Sequence, residues 1–175
     1  MQILQPFIAH TPIWVWALLA FLVTRGVMAM KAGETTLAKL AIVPALFSMW
    51  GLWSINHRYP ESWSAWSLWL AGIAAGACIG WMLLRRVQLR LDSSTGMLWR
   101  PADFSLLPLL LVTFVVKYGF ESALAMSPAL ATDGAFRAAY LLLPGGFTGI
   151  FIGKYCRYLV ASRRVVADGR EAPAA

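Results

Sequence analysis

Charged side chains are scarce in this sequence. Asp, Glu, Lys and Arg make up only 13% of its 175 residues, whereas 59% are hydrophobic. A soluble domain is usually about 45–50% apolar, so this excess excludes an ordinary soluble globular domain. Among the charged residues the acidic ones are fewer, with 8 Asp and Glu against 15 Lys and Arg, which gives a net charge of +7. Because no folded soluble module accompanies this charge, we expect it to mark span ends and lipid contacts, with no nucleic acid as a partner.

Cysteine and histidine are rarer still, with two of each. Cys78 and Cys156 fall within predicted spans, where we expect small apolar residues and no disulfide framework. His10 and His57 fall on the predicted outer side, but no ligand spacing supports a haem or metal site there, so we predict no cofactor and no metal. The motifs G-x-S-x-G and H-E-x-x-H and the P-loop are missing, and we predict no catalytic residue.

Long apolar runs are what the sequence does contain, and they predict an all-α polytopic membrane protein with five transmembrane helices. Each run has roughly the 20 residues that an α-helix needs to cross a bilayer. Pro44 and Pro144 fall inside two of the runs and predict kinks. The predicted spans are residues 11–30, 37–55, 64–84, 106–126 and 137–160, within a single membrane domain of residues 1–162.

Three polar segments connect or follow these spans. Residues 31–36 (KAGETT) are predicted to be a short turn. Residues 87–99 alternate apolar and polar side chains on either side of the turn sequence DSSTG, which predicts a short cytoplasmic β-hairpin between spans three and four. Residues 163–175 are predicted to be a flexible cytoplasmic tail.

Basic residues and tryptophans mark opposite sides of the predicted bundle. Twelve of the 15 Lys and Arg residues fall on one side of the five spans. The positive-inside rule then places the N-terminus outside and the C-terminus in the cytoplasm. Indole rings favour the headgroup zone, so their excess on the other side predicts an outer aromatic surface or pocket. The tryptophans on that side are Trp14, Trp16, Trp50, Trp53, Trp63, Trp66 and Trp69.

The fourth predicted span carries two charges near its middle, Lys117 and Glu121. A charge there costs at least roughly 2.5 kcal/mol on insertion scales, so we expect protein or water, not lipid, to surround both groups. They stand four residues apart on one helix face, where they form either a structural ion pair or a site for a proton, an ion or a charged headgroup. The candidate intramembrane polar site comprises Lys117, Glu121, Thr113, Tyr118, Ser122 and Tyr140, the last through the backbone carbonyl that Pro144 leaves free.

Glycines recur every four residues in the third and fifth spans. This spacing lets another helix backbone approach closely, either within the chain or from a second copy in a homo-oligomer. The predicted packing residues are Gly72, Gly76, Gly80, Gly145, Gly149 and Gly153.

Three segments carry a resemblance: HTPIWVWALLAFLV at residues 10–23, LRLDSSTGMLWRPADFSLLPLLL at residues 89–111, and FVVKYGFESALAM at residues 114–126. With the glycine-rich last span, they resemble a family of small bacterial integral membrane proteins classed as a domain of unknown function. The likeness covers nearly the whole chain. It implies several helices in the bacterial inner membrane, and it supplies no catalytic residues.

These features favour a small inner-membrane transporter or channel-like protein with an intramembrane Lys/Glu site. The alternative is a non-enzymatic scaffold or accessory subunit that binds a partner protein or lipid through its glycine-rich helix faces and outer tryptophans. A haem- or quinone-linked protein is a third hypothesis. The expected partners are membrane lipid and a second copy or another membrane protein.

Overall fold

Five helices form most of the described structure. The computed structural model describes residues 13–84, 90–91, 98–100 and 102–170, with side chains at 13, 15–84 and 102–163. Four helices, α2 to α5, are long and apolar enough to cross a membrane, and α1 is the shortest at 17 residues. The chain is therefore a helical protein of the membrane-embedded class. The helices are α1 (Ile13–Ala29), α2 (Leu37–Arg58), α3 (Trp63–Leu83), α4 (Leu106–Met126) and α5 (Gly134–Arg170), with a 3-10 helix at Pro128–Thr132.

Side-chain hydroxyls cap the starts of α2 and α3. Thr36 has an extended backbone and accepts a hydrogen bond from the Lys39 N–H at 3.3 Å. Ser62 does the same for the Ala65 N–H, also at 3.3 Å. Each cap satisfies one of the backbone donors that a helix leaves without a partner in its first turn.

The closest helix packing is between α3 and α5. A Cβ added at Gly72 would lie 2.6 Å from the Leu142 carbonyl oxygen, and one at Gly145 would lie 2.7 Å from that of Trp69. The residue numbers of the facing positions increase in the same direction along both helices, so α3 and α5 run parallel. The helix α4, which connects them in the sequence, therefore runs in the opposite direction. The remaining predicted packing glycines also face backbone across this interface: Gly76, Gly80, Gly149 and Gly153.

An apolar cluster between α1, α2, α4 and α5 forms the middle of the bundle. Leu22 and Leu110 are fully buried there. The rings of Phe47 and Phe151 stack with centroids 5.2 Å apart and nearly parallel planes. This aromatic pair separates the two polar regions described below.

A small sheet lies among the connecting segments. The strands are β1 (Gly33–Thr35), β2 (Arg90–Leu91) and β3 (Leu98–Arg100), in the order β1-β3-β2 with antiparallel pairing. The interpretation of residues 31–36 as a turn is therefore wrong for Gly33–Thr35. A three-residue edge strand lacks the alternation that identifies longer strands, so its sequence gave no signal. Within the predicted hairpin, residues 87–89 and 92–97 lie outside the described residues.

Several helix ends differ from those predicted. The helix α4 has the predicted bounds, but α2 continues to Arg58 rather than ending at residue 55. The helix α5 begins at Gly134 and continues to Arg170, past the predicted end at residue 160 and into the segment predicted to be flexible. Residues 11–12 of the first predicted span and residues 171–175 of the predicted tail lie outside the described residues.

Candidate functional site

A group of polar side chains joins α2, α4 and α5 near one end of the bundle. Ser54 and Arg58 stand four residues apart on α2, and Lys117 and Glu121 stand four residues apart on α4, so each pair shares a helix face. Tyr140 comes from the second turn of α5. We call Ser54, Arg58, Lys117, Glu121 and Tyr140 the polar cluster.

The Glu121 carboxylate is the centre of the polar cluster. Its Oε2 accepts from Arg58 Nη2 at 2.5 Å. Its Oε1 accepts from the Tyr140 hydroxyl at 2.8 Å and from Ser54 Oγ at 3.2 Å. Lys117 Nζ is farther away, 3.9 Å from Oε1. The expected i, i+4 pair is therefore the longest contact of this carboxylate, and its nearest partner comes from another helix.

The Lys117 side chain is buried with only part of a countercharge. The residue is 4% exposed. Its Nζ donates to Ser54 Oγ at 3.2 Å and lies 4.9 Å from the centre of the Trp50 ring, within the range of a cation–π interaction. With both basic groups protonated, two cations share the single Glu121 carboxylate. A buried ammonium with an incomplete countercharge is costly, so its partners Glu121, Ser54 and Trp50 matter for its stability.

The polar cluster extends from the bundle surface toward its middle. The side chains of Arg58 and Glu121 are 33% and 27% exposed, whereas that of Lys117 is 5% exposed. Lys117 lies nine residues before the end of α4 at Met126. At a rise of 1.5 Å per residue this is about 14 Å, so the ammonium lies close to mid-helix.

Three residues of the predicted site occupy other positions. The Thr113 hydroxyl donates to the Leu109 carbonyl one turn earlier, at 2.7 Å. The Tyr118 ring stacks on Phe114 with centroids 6.0 Å apart. Ser122 is half-buried and, among the described residues, is not one of the groups that bond to Glu121.

The other three predicted residues, Lys117, Glu121 and Tyr140, come together. Tyr140 participates through its hydroxyl rather than through its carbonyl. Ser54 and Arg58 were not among the predicted residues. Their four-residue spacing with Trp50 on α2 mirrors the spacing of Thr113, Lys117 and Glu121 on α4, and this is the signal that could have found them.

A second buried ion pair lies toward the opposite end of the bundle. Lys154 is 4% exposed, and its Nζ contacts Asp103 Oδ2 at 2.7 Å and Ser105 Oγ at 2.9 Å. Ser105 in turn donates to Asp103 Oδ1 from its N–H at 3.1 Å and from its hydroxyl at 2.6 Å. Burial alone would raise the pKa of the Asp103 carboxyl, but the Lys154 ammonium and the Ser105 donors outweigh it and hold that pKa below its usual value.

A cavity of about 220 Å³ adjoins this ion pair. Asp103 and Lys154 form part of its lining, together with residues from the end of α1, from β1 and from the start of α2. The charged residues of the lining are Arg25, Lys31, Lys39, Lys154, Glu34 and Asp103, and we call this space the cationic cavity.

The aromatic pair separates the cationic cavity from the polar cluster. On α2, Pro44 lines the cavity and Trp50 contacts Lys117, with Phe47 between them. Six residues of helix correspond to about 9 Å. Phe151, which stacks on Phe47, also lines the cavity. One polar region therefore lies on each side of an apolar layer that is about two helical turns thick.

The tryptophans expected at the outer end differ widely in exposure. Trp69 is 5% exposed, whereas Trp53 is 64% and Trp63 is 90% exposed. Trp50 faces Lys117. His57 is exposed and stacks on Trp53 at 5.5 Å. Within the described ranges, no group of three or more His, Cys, Asp or Glu residues could hold a metal ion. His10 and the Trp14 side chain lie outside the described part.

Comparison of the sequence with protein families identifies the family of this chain but not its activity. Residues 1–169 match DUF6622, a family of unknown function, so the chain belongs to that family. The expected membership of a family of unknown function is thereby confirmed. A search of curated proteins and a search of solved structures each gave no match.

Proposed function

We propose that this protein is a small transporter or channel-like membrane protein that passes small anions. The observation that carries the proposal is the surplus buried charge at Lys117, whose ammonium shares one carboxylate with Arg58. Charged groups inside membrane helices usually mark ion or solute pathways. Lys117 lies at the outer limit of an ion pair with Glu121, at 3.9 Å, and a serine hydroxyl and an aromatic ring also contact its ammonium.

The supporting geometry is a path with two polar compartments. An anion that enters beside Arg58 would reach Lys117, and the cationic cavity would receive it on the other side of the aromatic pair. Phe47 is 2% exposed and Phe151 is 3% exposed, so the layer between the compartments is closed to water in this conformation. Rotation of these rings, or a bend of α2 at Pro44, would open it.

The proposed topology has five spans in a bacterial inner membrane, with the N-terminus outside. The parallel packing of α3 and α5 supports it, because two parallel spans require α4 to cross in the opposite direction. The basic residues that line the cationic cavity come from the end of α1, the start of α2 and the later part of α5, which gather at one end. Reporter fusions at the C-terminus test this orientation: a fusion active only in the cytoplasm is expected, and a periplasmic signal would contradict it.

Flux across proteoliposomes tests the proposed function. Vesicles containing the protein and a halide-sensitive dye receive a chloride gradient, and a potassium ionophore compensates the charge. We expect Lys117→Met to reduce chloride entry at least tenfold and Lys117→Arg, which retains the charge, to retain most of it. Arg163→Gln is the matched control, because Arg163 is an exposed cation outside both polar regions. Equal flux for wild type and the folded Lys117→Met protein would refute the proposal.

The alternative of a scaffold or accessory subunit has one observation in its favour. Trp53 and Trp63, at the end of α2 and the start of α3, are strongly exposed and could contact a partner. Its proposed glycine faces, however, are occupied between α3 and α5. If Trp53→Ala with Trp63→Ala released a protein that co-purifies with the wild type, while chloride flux was absent, the accessory role would replace the transport role.

A further inference from the structure

The cationic cavity combines an exposed rim of cations with a buried, largely apolar floor. Lys31 and Lys39 are exposed and Arg25 is half-buried, whereas Val43 and Phe151 are buried. Its volume of about 220 Å³ is well above the roughly 15 Å³ that holds one water molecule. A cavity of this kind suits a ligand with an anionic group at the rim and apolar atoms beneath it.

The lining carries more positive than negative charge. Its four cations and two carboxylates give a formal charge of +2. Lys154 and Asp103 neutralise each other at 2.7 Å. The net charge of +2 therefore falls on the remaining charged residues, which are Arg25, Lys31, Lys39 and Glu34.

Arg25 is held in position to receive an anion. Its Nη2 donates to the Lys39 carbonyl oxygen at 2.7 Å, and its guanidinium lies over the Phe21 ring at 5.8 Å. These contacts fix the side chain at the cavity and use only part of its five N–H donors. A guanidinium with free donors recognises phosphate oxygens by a paired geometry that an ammonium cannot provide.

We infer that the cationic cavity binds a phosphate group, supplied either by the headgroup of an anionic phospholipid or by free phosphate. The site lies where α1 ends and α2 begins, which is the level of lipid headgroups if these helices span the bilayer. The apolar floor would take the glycerol and the first methylenes of a lipid. This inference goes beyond the proposed function and rests on the cavity alone, because binding is measured without flux.

Ligand-dependent thermal stabilisation tests the inference. The purified full chain in a neutral detergent is titrated with short-chain phosphatidylglycerol, with short-chain phosphatidylcholine and with inorganic phosphate at constant ionic strength. A ligand that binds the folded state raises the melting temperature, and the stabilisation grows with the logarithm of the ligand concentration once this exceeds the Kd. Each cation near a membrane surface contributes about fivefold to the binding of an anionic group, so the double variant Lys31→Gln and Lys39→Gln is expected to bind about 25-fold more weakly.

Arg163→Gln is the matched control, since it removes an exposed cation of α5 that does not line the cavity. Stabilisation by phosphatidylglycerol that the double variant loses and the control keeps supports a lipid headgroup. The same pattern with inorganic phosphate alone supports free phosphate. No stabilisation by phosphatidylglycerol or by inorganic phosphate, or equal losses in the double variant and the control, would overturn the inference. Both lysines are exposed, and the variants' melting temperatures without ligand verify that they fold.

Discussion

The ion pair between Asp103 and Lys154 allows the sharpest stability prediction. The substitution Asp103→Asn keeps a side-chain oxygen that can accept from Ser105, but it removes the charge and replaces Oδ2, the acceptor of Lys154, with an amide donor. It leaves the Lys154 ammonium, whose side chain is 5% exposed, without its carboxylate. Breaking a buried pair in this way costs about 3–5 kcal/mol. Because the Asp103 side chain is 13% exposed and adjoins a cavity, we expect the lower end of this range, about 3 kcal/mol.

The matching substitution Lys154→Met is expected to cost less. It leaves the Asp103 carboxylate with two donors from Ser105 and some access to water. The double variant has neither charge. Its free energy of unfolding should therefore be about 2 kcal/mol higher than the value expected if the losses of the two single variants simply added. For a chain of this length, the loss of about 3 kcal/mol expected for Asp103→Asn would lower the melting temperature by about 6–12 °C.

Thermal unfolding of the three variants in one detergent measures this double-mutant cycle. If Asp103→Asn melts within about 1 °C of the wild type, or if the two single effects simply add, the pair does not stabilise the bundle and the reasoning fails. The pH dependence provides an independent check. Because the folded-state pKa of Asp103 is lowered, its contribution is complete above the ordinary value of about 4 and is lost as pH falls through the lowered value. Wild type should therefore lose stability in strong acid, and Asp103→Asn should lack this part of the loss.

Three further predictions follow from the packing and the polar cluster. Gly76→Ala should lower the melting temperature, since overpacking against backbone costs about 1–3 kcal/mol, whereas Gly119→Ala, with nothing within 4 Å of the added Cβ, should not lower it. Glu121→Gln should destabilise more than Arg58→Gln, because it leaves two cations unpaired and Arg58 is 33% exposed; equal melting temperatures would contradict this order. Phe47→Ala should increase chloride flux through the aromatic layer, and unchanged flux in a folded variant would place the barrier elsewhere.

The sequence predicted the position of the polar cluster better than its connections. Hydropathy gave the bounds of α4, and the cost of a charge in lipid required Lys117 to face protein. The partner of Glu121 could not be inferred, because the predicted span ends at residue 55, three residues before Arg58, whereas α2 extends to Arg58. Contacts between helices depend on their rotation and tilt, which apolar periodicity leaves open when a helix is hydrophobic on all sides.

The second ion pair was missed for a related reason. Lys154 lies in the apolar sequence GIFIGKYC, as Lys117 does in VVKYG, but it falls six residues before the predicted span end at residue 160 and belongs to the basic residues assigned to one side. Asp103 falls in the polar segment that is predicted to connect spans three and four outside the membrane. The structure shows that residues 102–105, which precede α4, place this carboxylate against Lys154 of α5. A lysine inside an apolar run therefore merits a search for a carboxylate in the nearest connecting segment.

The most direct test of the central claim is the charge preference of a reporter within the polar cluster. Ser54→Cys, with Cys78 and Cys156 replaced by alanine, places a thiol between Lys117 and Glu121. It keeps the charges of these two residues and of Arg58. Its modification by an anionic and by a cationic methanethiosulfonate of similar size is compared with that of Ser64→Cys, an exposed position at the start of α3. A surplus positive charge predicts that the anionic reagent reacts several-fold faster at residue 54 than the cationic one, relative to this control. No reaction at residue 54, or a preference for the cationic reagent, would contradict the claim that a water-accessible, anion-attracting site lies inside the bundle.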